Sequence, residues 1–305
     1  MSLNSSDISA IIRLRRAGHF TKNSSIVQLG DNRFNDDLLR DSAVLDDICQ
    51  AFGVSCRDFS VPLSDAFTEA NRDVANGTAP PLSDLWEWLG FRCARIDVDT
   101  NAGAIPLDLN FDQTPEHIRG EFSLIMNIGF TSHFANQINA FKIVHDLCQR
   151  GGIMIHRLPA EGLFTHGLVK YDPKFFWMLS RSNGYKWLDF DLRISESRIG
   201  IGSDVISELR KFQGGADSPV DSYRVADGTL FVILQKLYDM DFVPPLDVPN
   251  GARVSRQFAE NYWTVFEPQR FQEMIQREED AKSGQGAPEN AINSADGLLQ
   301  KPSTS

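Results

Sequence analysis

Basic residues are scarce in this chain: 30 Lys and Arg stand against 41 Asp and Glu over 305 residues, a formal net charge of −11. Nucleic-acid binding needs clustered cations to neutralise phosphates, so nucleic acid is not expected as a partner. The one basic cluster, Arg13, Arg15 and Arg16, reads as the solvated face of an N-terminal helix. Cysteines are few as well. Cys49, Cys56, Cys93 and Cys148 show no Cys-x-x-Cys spacing, so neither a zinc site nor a disulfide framework is expected, and a reducing cytoplasm is the simpler setting. No apolar run approaches the roughly 18 residues of a membrane span, and residues 1–10 are too polar for a signal peptide. No membrane partner is expected.

Several chemistry-bearing motifs are also missing. Without H-E-x-x-H or recurring metal-ligand spacing a metal-dependent mechanism has no support. Without G-x-S-x-G a serine hydrolase has none. Without G-x-G-x-x-G the nicotinamide-dependent oxidoreductases lose their phosphate loop.

What the chain does contain is 42% hydrophobic residues, enough for one large core. Short apolar runs alternate with helical patterns, which predicts a mostly parallel sheet covered on both faces. Residues 1–24 read as a helical lead-in and 25–276 as the α/β domain. Residues 277–305 are too polar to offset their ordering entropy and are expected to be disordered. Strands are expected over 25–30, 94–98, 104–109, 122–128, 153–158, 186–194 and 229–237, the last two as a possible antiparallel pair. Helices are expected over 36–52, 135–149, 172–182 and 203–212, with Gly151 and Gly152 capping the second.

Read in order, four segments resemble class I methyltransferase-like proteins: Ile26-Val27-Gln28-Leu29-Gly30, Arg95-Ile96-Asp97-Val98-Asp99, Pro106-Leu107-Asp108-Leu109-Asn110, and the run from Phe122 to His133. The stretch from Gly151 to Pro159 resembles a subgroup with a Gly-Gly turn before the fifth strand. The resemblance spans roughly residues 25–190. It implies a Rossmann-like, mostly parallel seven-stranded sheet with helices on both faces, and transfer of a methyl group from S-adenosyl-L-methionine to a small or medium polar acceptor. It also implies that Gly30 and Asp31 lie at the cofactor loop, that Asp97 accepts hydrogen bonds from ribose hydroxyls, and that Asp108 sits beside the adenine. Asn127 and Gly129 would shape the site at the end of the fourth strand.

Two departures from that pattern matter. Gln28 stands where the family carries an acidic residue, and Asp31-Asn32-Arg33-Phe34 replaces further loop glycines. An inactive methyltransferase-like scaffold therefore stands as the alternative function. In addition, 67 residues separate Gly30 from Asp97, against about 20 in ordinary nucleotide folds. An insertion over about 56–92 is required. Its aromatics Trp86, Trp88 and Phe91 either form a lid over the site or anchor the insertion to the core.

Methyl transfer to a hydroxyl needs alignment and one general base. His133, just past the fourth strand, and His166, in the loop after the fifth, are the candidates, each with a plain packing or capping reading beside it. His156, inside the fifth strand, reads as a core residue.

Overall fold

The computed structural model describes residues 3–21, 24–32, 42–55, 82–99, 103–163, 166–199, 226–248 and 252–283. The chain divides into two compact units, Met1–Arg253 and Val254–Ser305. In the first, the elements run α1 (Ser5–Arg16), β1 (Ser25–Leu29), α2 (Ser42–Phe52), α3 (Leu82–Trp88), β2 (Arg92–Asp97), β3 (Ile105–Pro106), β4 (Phe122–Ile128), α4 (Gln137–Leu147), β5 (Cys148–Glu161), α5 (Pro173–Asn183), β6 (Lys186–Ile199) and β7 (Ala226–Gln235).

The seven strands form one sheet in the order β3-β2-β1-β4-β5-β7-β6. Pairings through β5 are parallel, and β7 runs antiparallel to both β5 and β6. Successive side chains on a strand point to opposite faces, and here both faces are covered. Ile26, Leu124, Met126, Ile153, Ile155 and Phe231 meet residues of α1, α2 and α3. Val27, Leu29, Ile125, Met154, Leu230 and Val232 meet α4 and α5. Burial on both sides is why β1 and β4 are mostly apolar and buried at every position.

The structure corrects several expectations. Within the expected helical lead-in, α1 is set by an Asn4/Asp7 capping box, and Ile8, Ile11 and Ile12 lie in the same core as β1 and β4. Gly151 and Gly152 do not cap α4. The helix stops at Cys148, whose backbone is extended, and both glycines lie within β5. Gly152 is there because a Cβ would meet Cys148 Sγ at 2.8 Å and Gln149 O at 2.9 Å.

The third strand is only Ile105–Pro106: Leu107 N still donates to Asp97 O at 3.1 Å, and the chain then turns, with Phe111 N and Asp112 N donating to Asp108 O. The fifth strand runs on past Pro159, pairing Pro159 with Thr229 on β7.

The aromatic cluster is an anchor and not a lid. Trp86 and Phe91 are buried on α3 and just before β2, in edge contact at 6.0 Å, and Phe91 meets Phe20 and Phe52. Residues 56–81, most of the stretch expected as an insertion, lie outside the described residues, as do 36–41 and the expected helix 203–212. Cys49 on α2 is disulfide-bonded, contrary to expectation, while Cys148 is a buried thiol. Disulfide pairing depends on spatial approach, which the absence of Cys-x-x-Cys spacing does not forbid.

The second unit contains α6 (Arg256–Asn261), α7 (Trp263–Phe266) and α8 (Pro268–Ser283). The Phe258 and Tyr262 rings meet at a tilt with centroids 5.0 Å apart, and the Arg270 guanidinium lies 4.8 Å from the Trp263 ring centroid. Helix α8 continues seven residues into the segment expected to be disordered, carried by helix-favouring Gln, Arg, Glu and Lys and by a Gln276–Asp280 side-chain bond. Residues 284–305 lie outside the described residues.

Candidate functional site

Register brings the carboxyl ends of four strands to one edge of the sheet. Leu29 pairs with Ile96 and with Asn127, and Asn127 pairs with His156. In open parallel sheets ligands bind outside these ends, so the residues that follow them form the candidate crevice.

On the β1–β2 side stand Gly30, Asp31 and Asp97. Gly30 adopts φ +79°, and its N–H continues the ladder to Ile96 O at 2.8 Å. Its missing side chain is used by the protein itself, since a Cβ there would lie 2.4 Å from Cδ2 of Phe130. Asp31 pairs with Arg95 at 3.5 Å. Asp97 ends β2 half-buried, and its Oδ1 accepts a long bond from Asp99 N at 3.3 Å, leaving acceptor capacity at the strand end. Beneath the loop, Gln28 is 1% exposed. Its Nε2 donates to Asn32 O at 3.3 Å, whereas its buried Oε1 has no donor. A carboxylate with acceptor capacity at the end of β2 and a buried acceptor without a donor on β1 suit a ligand bearing hydroxyl and ammonium donors, so these residues fit S-adenosyl-L-methionine.

Asp108 lies farther along and organises a turn: its Oδ1 accepts from Asn110 N at 2.8 Å, while its own N–H donates to Asp112 Oδ2 at 2.7 Å. Asn127 is fully buried, and its amide is consumed internally. Nδ2 donates to Thr131 Oγ1 at 2.9 Å and to His156 Nδ1 at 3.1 Å, and Oδ1 accepts from Thr131 N at 3.2 Å. It braces the turn after β4 from inside. Gly129, at φ +81°, lets that turn leave the sheet while its N–H bonds Arg157 O.

On the β4–β5 side, His133 and His166 are brought together with ring centroids 5.5 Å apart. Both loops are held. Ser132 O accepts from Leu168 N and Val169 N at 2.7 and 3.1 Å, and the Tyr171 hydroxyl bridges Thr131 Oγ1 and Gln137 Oε1 at 3.1 and 2.5 Å. Gly167 is required because a Cβ would sit 2.6 Å from Ser132 Oγ. Partial burial lowers the pKa of both histidines, and the charge of Lys170 pushes in the same direction. Each is therefore a neutral base at physiological pH.

Sequence reasoning did not find Lys170 or Asp227. Lys170 Nζ binds Leu163 O and His166 O at 2.6 and 3.1 Å, and Asp227 accepts from Leu163 N at 2.7 Å, which fixes the His166 loop in place. Only the acidic and basic character of those positions was visible.

The strand order, with its single antiparallel strand, is that of a Rossmann-like, class I methyltransferase-like fold. No known family profile matches the chain, and no curated protein does. Among solved structures it is similar to a candidate methyltransferase of Bacillus halodurans (8% identity, TM-score 0.42, 76% of this chain and 98% of the other). It is also similar to a SAM-dependent methyltransferase of Archaeoglobus fulgidus (10%, 0.34, 75% and 94%). A third is phosphoethanolamine N-methyltransferase 2 of Haemonchus contortus, solved with S-adenosyl-L-methionine (11%, 0.35, 76% and 57%). At such identities the likeness concerns the fold alone. No helix of the described residues is long and apolar enough to cross a membrane.

Proposed function

We propose that this protein is an S-adenosyl-L-methionine-dependent methyltransferase acting on a small or medium polar acceptor through oxygen or nitrogen. The observation that carries this reading is the placement on one sheet edge of Asp97, ending β2, and of the His133–His166 pair, following β4 and β5. Asp97 would hold the ribose hydroxyls, Gly30 and Asp31 would border the cofactor loop, and Gln28 Oε1 would receive an N–H donor. Gly129 and the turn braced by Asn127 would separate cofactor from acceptor, with Asp108 near the adenine side. When bound, the cofactor supplies an electrophilic methyl group on a sulfonium.

The acceptor's hydroxyl or amine must lose a proton as its new bond to carbon forms. A neutral His133 or His166 takes that proton on a ring nitrogen, and a positioned base of this kind contributes about 10²–10⁴ in rate. Because both pKa values are lowered, the base stays unprotonated from neutral pH upward. Activity is expected to hold above neutrality and to fall only below the usual histidine range.

The test is release of S-adenosylhomocysteine over a panel of phenols, carboxylic acids and primary amines, for wild type, His133→Asn and His166→Asn. One variant should lose at least about a hundredfold in kcat; equal rates in all three would remove the histidine pair from the chemistry.

The second reading is an inactive scaffold of the same fold, favoured by the Phe130 ring that covers Gly30. It predicts that no acceptor releases product and that neither cofactor form binds.

A further inference from the structure

Strand β6 closes one side of the sheet: β7 takes its inner edge, and among the described residues no strand takes the outer one. Phe190 and Leu192 lie opposite Val232 and Leu230, and Ile194 lies opposite Gly228. Those β7 side chains belong to the buried cluster on the α4–α5 face, yet Phe190, Leu192 and Ile194 are 42, 44 and 60% exposed. Asp191 and Arg193 project to the other face, where Arg193 reaches Asp7 on α1. A long edge strand with an exposed apolar row is a template for pairing with another chain unless something blunts it.

We propose that β6 pairs antiparallel with β6 of a second copy of this chain, about a two-fold axis through Leu192, making one continuous sheet across a homodimer. The residues themselves select the occupant and the register. With the axis at Leu192, Phe190 stands opposite Ile194, Leu192 opposite Leu192, and Asp191 opposite Arg193. Apolar meets apolar on one face and opposite charges meet on the other, the combinations that stabilise cross-strand pairs. Moving the axis by one residue places Asp191 against Asp191 or Arg193 against Arg193. Moving it to Phe190 sets Asp189 against Asp191 twice. Only the Leu192 register sets Phe190, Leu192 and Ile194 against one another, with no like charges opposed between Asp189 and Ser195, and a two-fold contact of this kind closes without propagating.

The test is sedimentation velocity of the full-length chain at micromolar concentrations, with two variants at Leu192, a half-exposed position where folding should be unaffected. Wild type should sediment as a dimer, and Leu192→Lys, which sets two ammonium groups face to face, should weaken the dimer at least a hundredfold. Directly opposed residues have Cα atoms about 4.5–5.5 Å apart, within disulfide reach. Leu192→Cys should therefore cross-link to a dimer under mild oxidation, whereas Phe190→Cys, four residues out of register with itself, should behave as wild type. A monomeric wild type, a dimer indifferent to Leu192→Lys, or cross-linking at 190 and not at 192 would each overturn the proposal.

Discussion

Replacing Asp7 by alanine is expected to cost the folded state about 3–5 kcal/mol, a large part of the total stability of a domain. Asp7 is 1% exposed. Its carboxylate accepts from Arg157 Nη1, from Arg193 Nη1 at 2.6 Å and from Asn4 N at 3.0 Å, so one group joins α1, β5 and β6. Arg157 is itself buried, with 7% of its side chain exposed, and Arg193 lies beside it with its guanidinium 3.8 Å from the Phe231 ring. Removing the carboxylate leaves the buried Arg157 charge without its partner and facing a second guanidinium. The penalty is that of an uncompensated buried charge and exceeds the intrinsic worth of the ion pair. Urea denaturation of wild type and Asp7→Ala measures it. A loss under about 1 kcal/mol, the range of an exposed salt bridge, would show that the network is solvated.

Acid is the second large effect. His145 and His156 are buried, and burial brings their pKa values down to about 4 and about 3, with the Lys236 ammonium adding to the effect at His145. His145 is satisfied as a neutral ring, whereas His156 has one ring nitrogen bonded and its buried Nε2 without a partner, a setting that disfavours a second proton. Met240 O accepts from His145 Nε2 at 2.7 Å, so Nδ1 accepts from the Tyr185 hydroxyl at 2.6 Å; His156 Nδ1 accepts from the Asn127 amide. In the unfolded chain both titrate near 6.5. Below that pH the unfolded state binds more protons than the folded one, so stability is fully present above about pH 6.5 and is lost as pH falls. Each histidine contributes a slope of about 1.4 kcal/mol per pH unit between its unfolded and folded values. Denaturation midpoints from pH 7 to pH 4.5 should fall steeply in wild type, and His145→Gln should remove about one proton from the linkage. An unchanged slope in that variant would mean that His145 is protonated in the fold.

Much of the scaffold was legible because the relevant signals are local. β4 was placed residue for residue, since a mostly apolar stretch is bounded by Gly120 and Gly129, both at positive φ. The convergence of His133 and His166 also followed from the sequence, because residues just past neighbouring parallel strands must share an edge. The failures have a common physical cause in sequence distance. Asp7, Arg157 and Arg193 look like ordinary charges along the chain, and the bonds that make them one unit span 150 and 186 residues. The packing role of Gly30 was hidden too, since the Phe130 ring that a Cβ there would strike comes a hundred residues downstream. The internal role of Asn127 was hidden likewise, since its partner His156 comes from the next strand. At α8 the misjudgement was of another kind: low hydrophobicity suggested disorder, whereas helix propensity and spaced polar pairs sustain a helix without a core.

The central claim is that the crevice at the ends of β1, β2 and β4 holds S-adenosyl-L-methionine through Asp97. Calorimetric titration of the full-length chain with S-adenosylhomocysteine, for wild type and Asp97→Ala at neutral pH, tests it most directly. The account predicts saturable binding in the micromolar range that weakens about tenfold to a hundredfold in the variant, the worth of hydrogen bonds to a charged acceptor. No heat from wild type, or the same dissociation constant in both proteins, would contradict it.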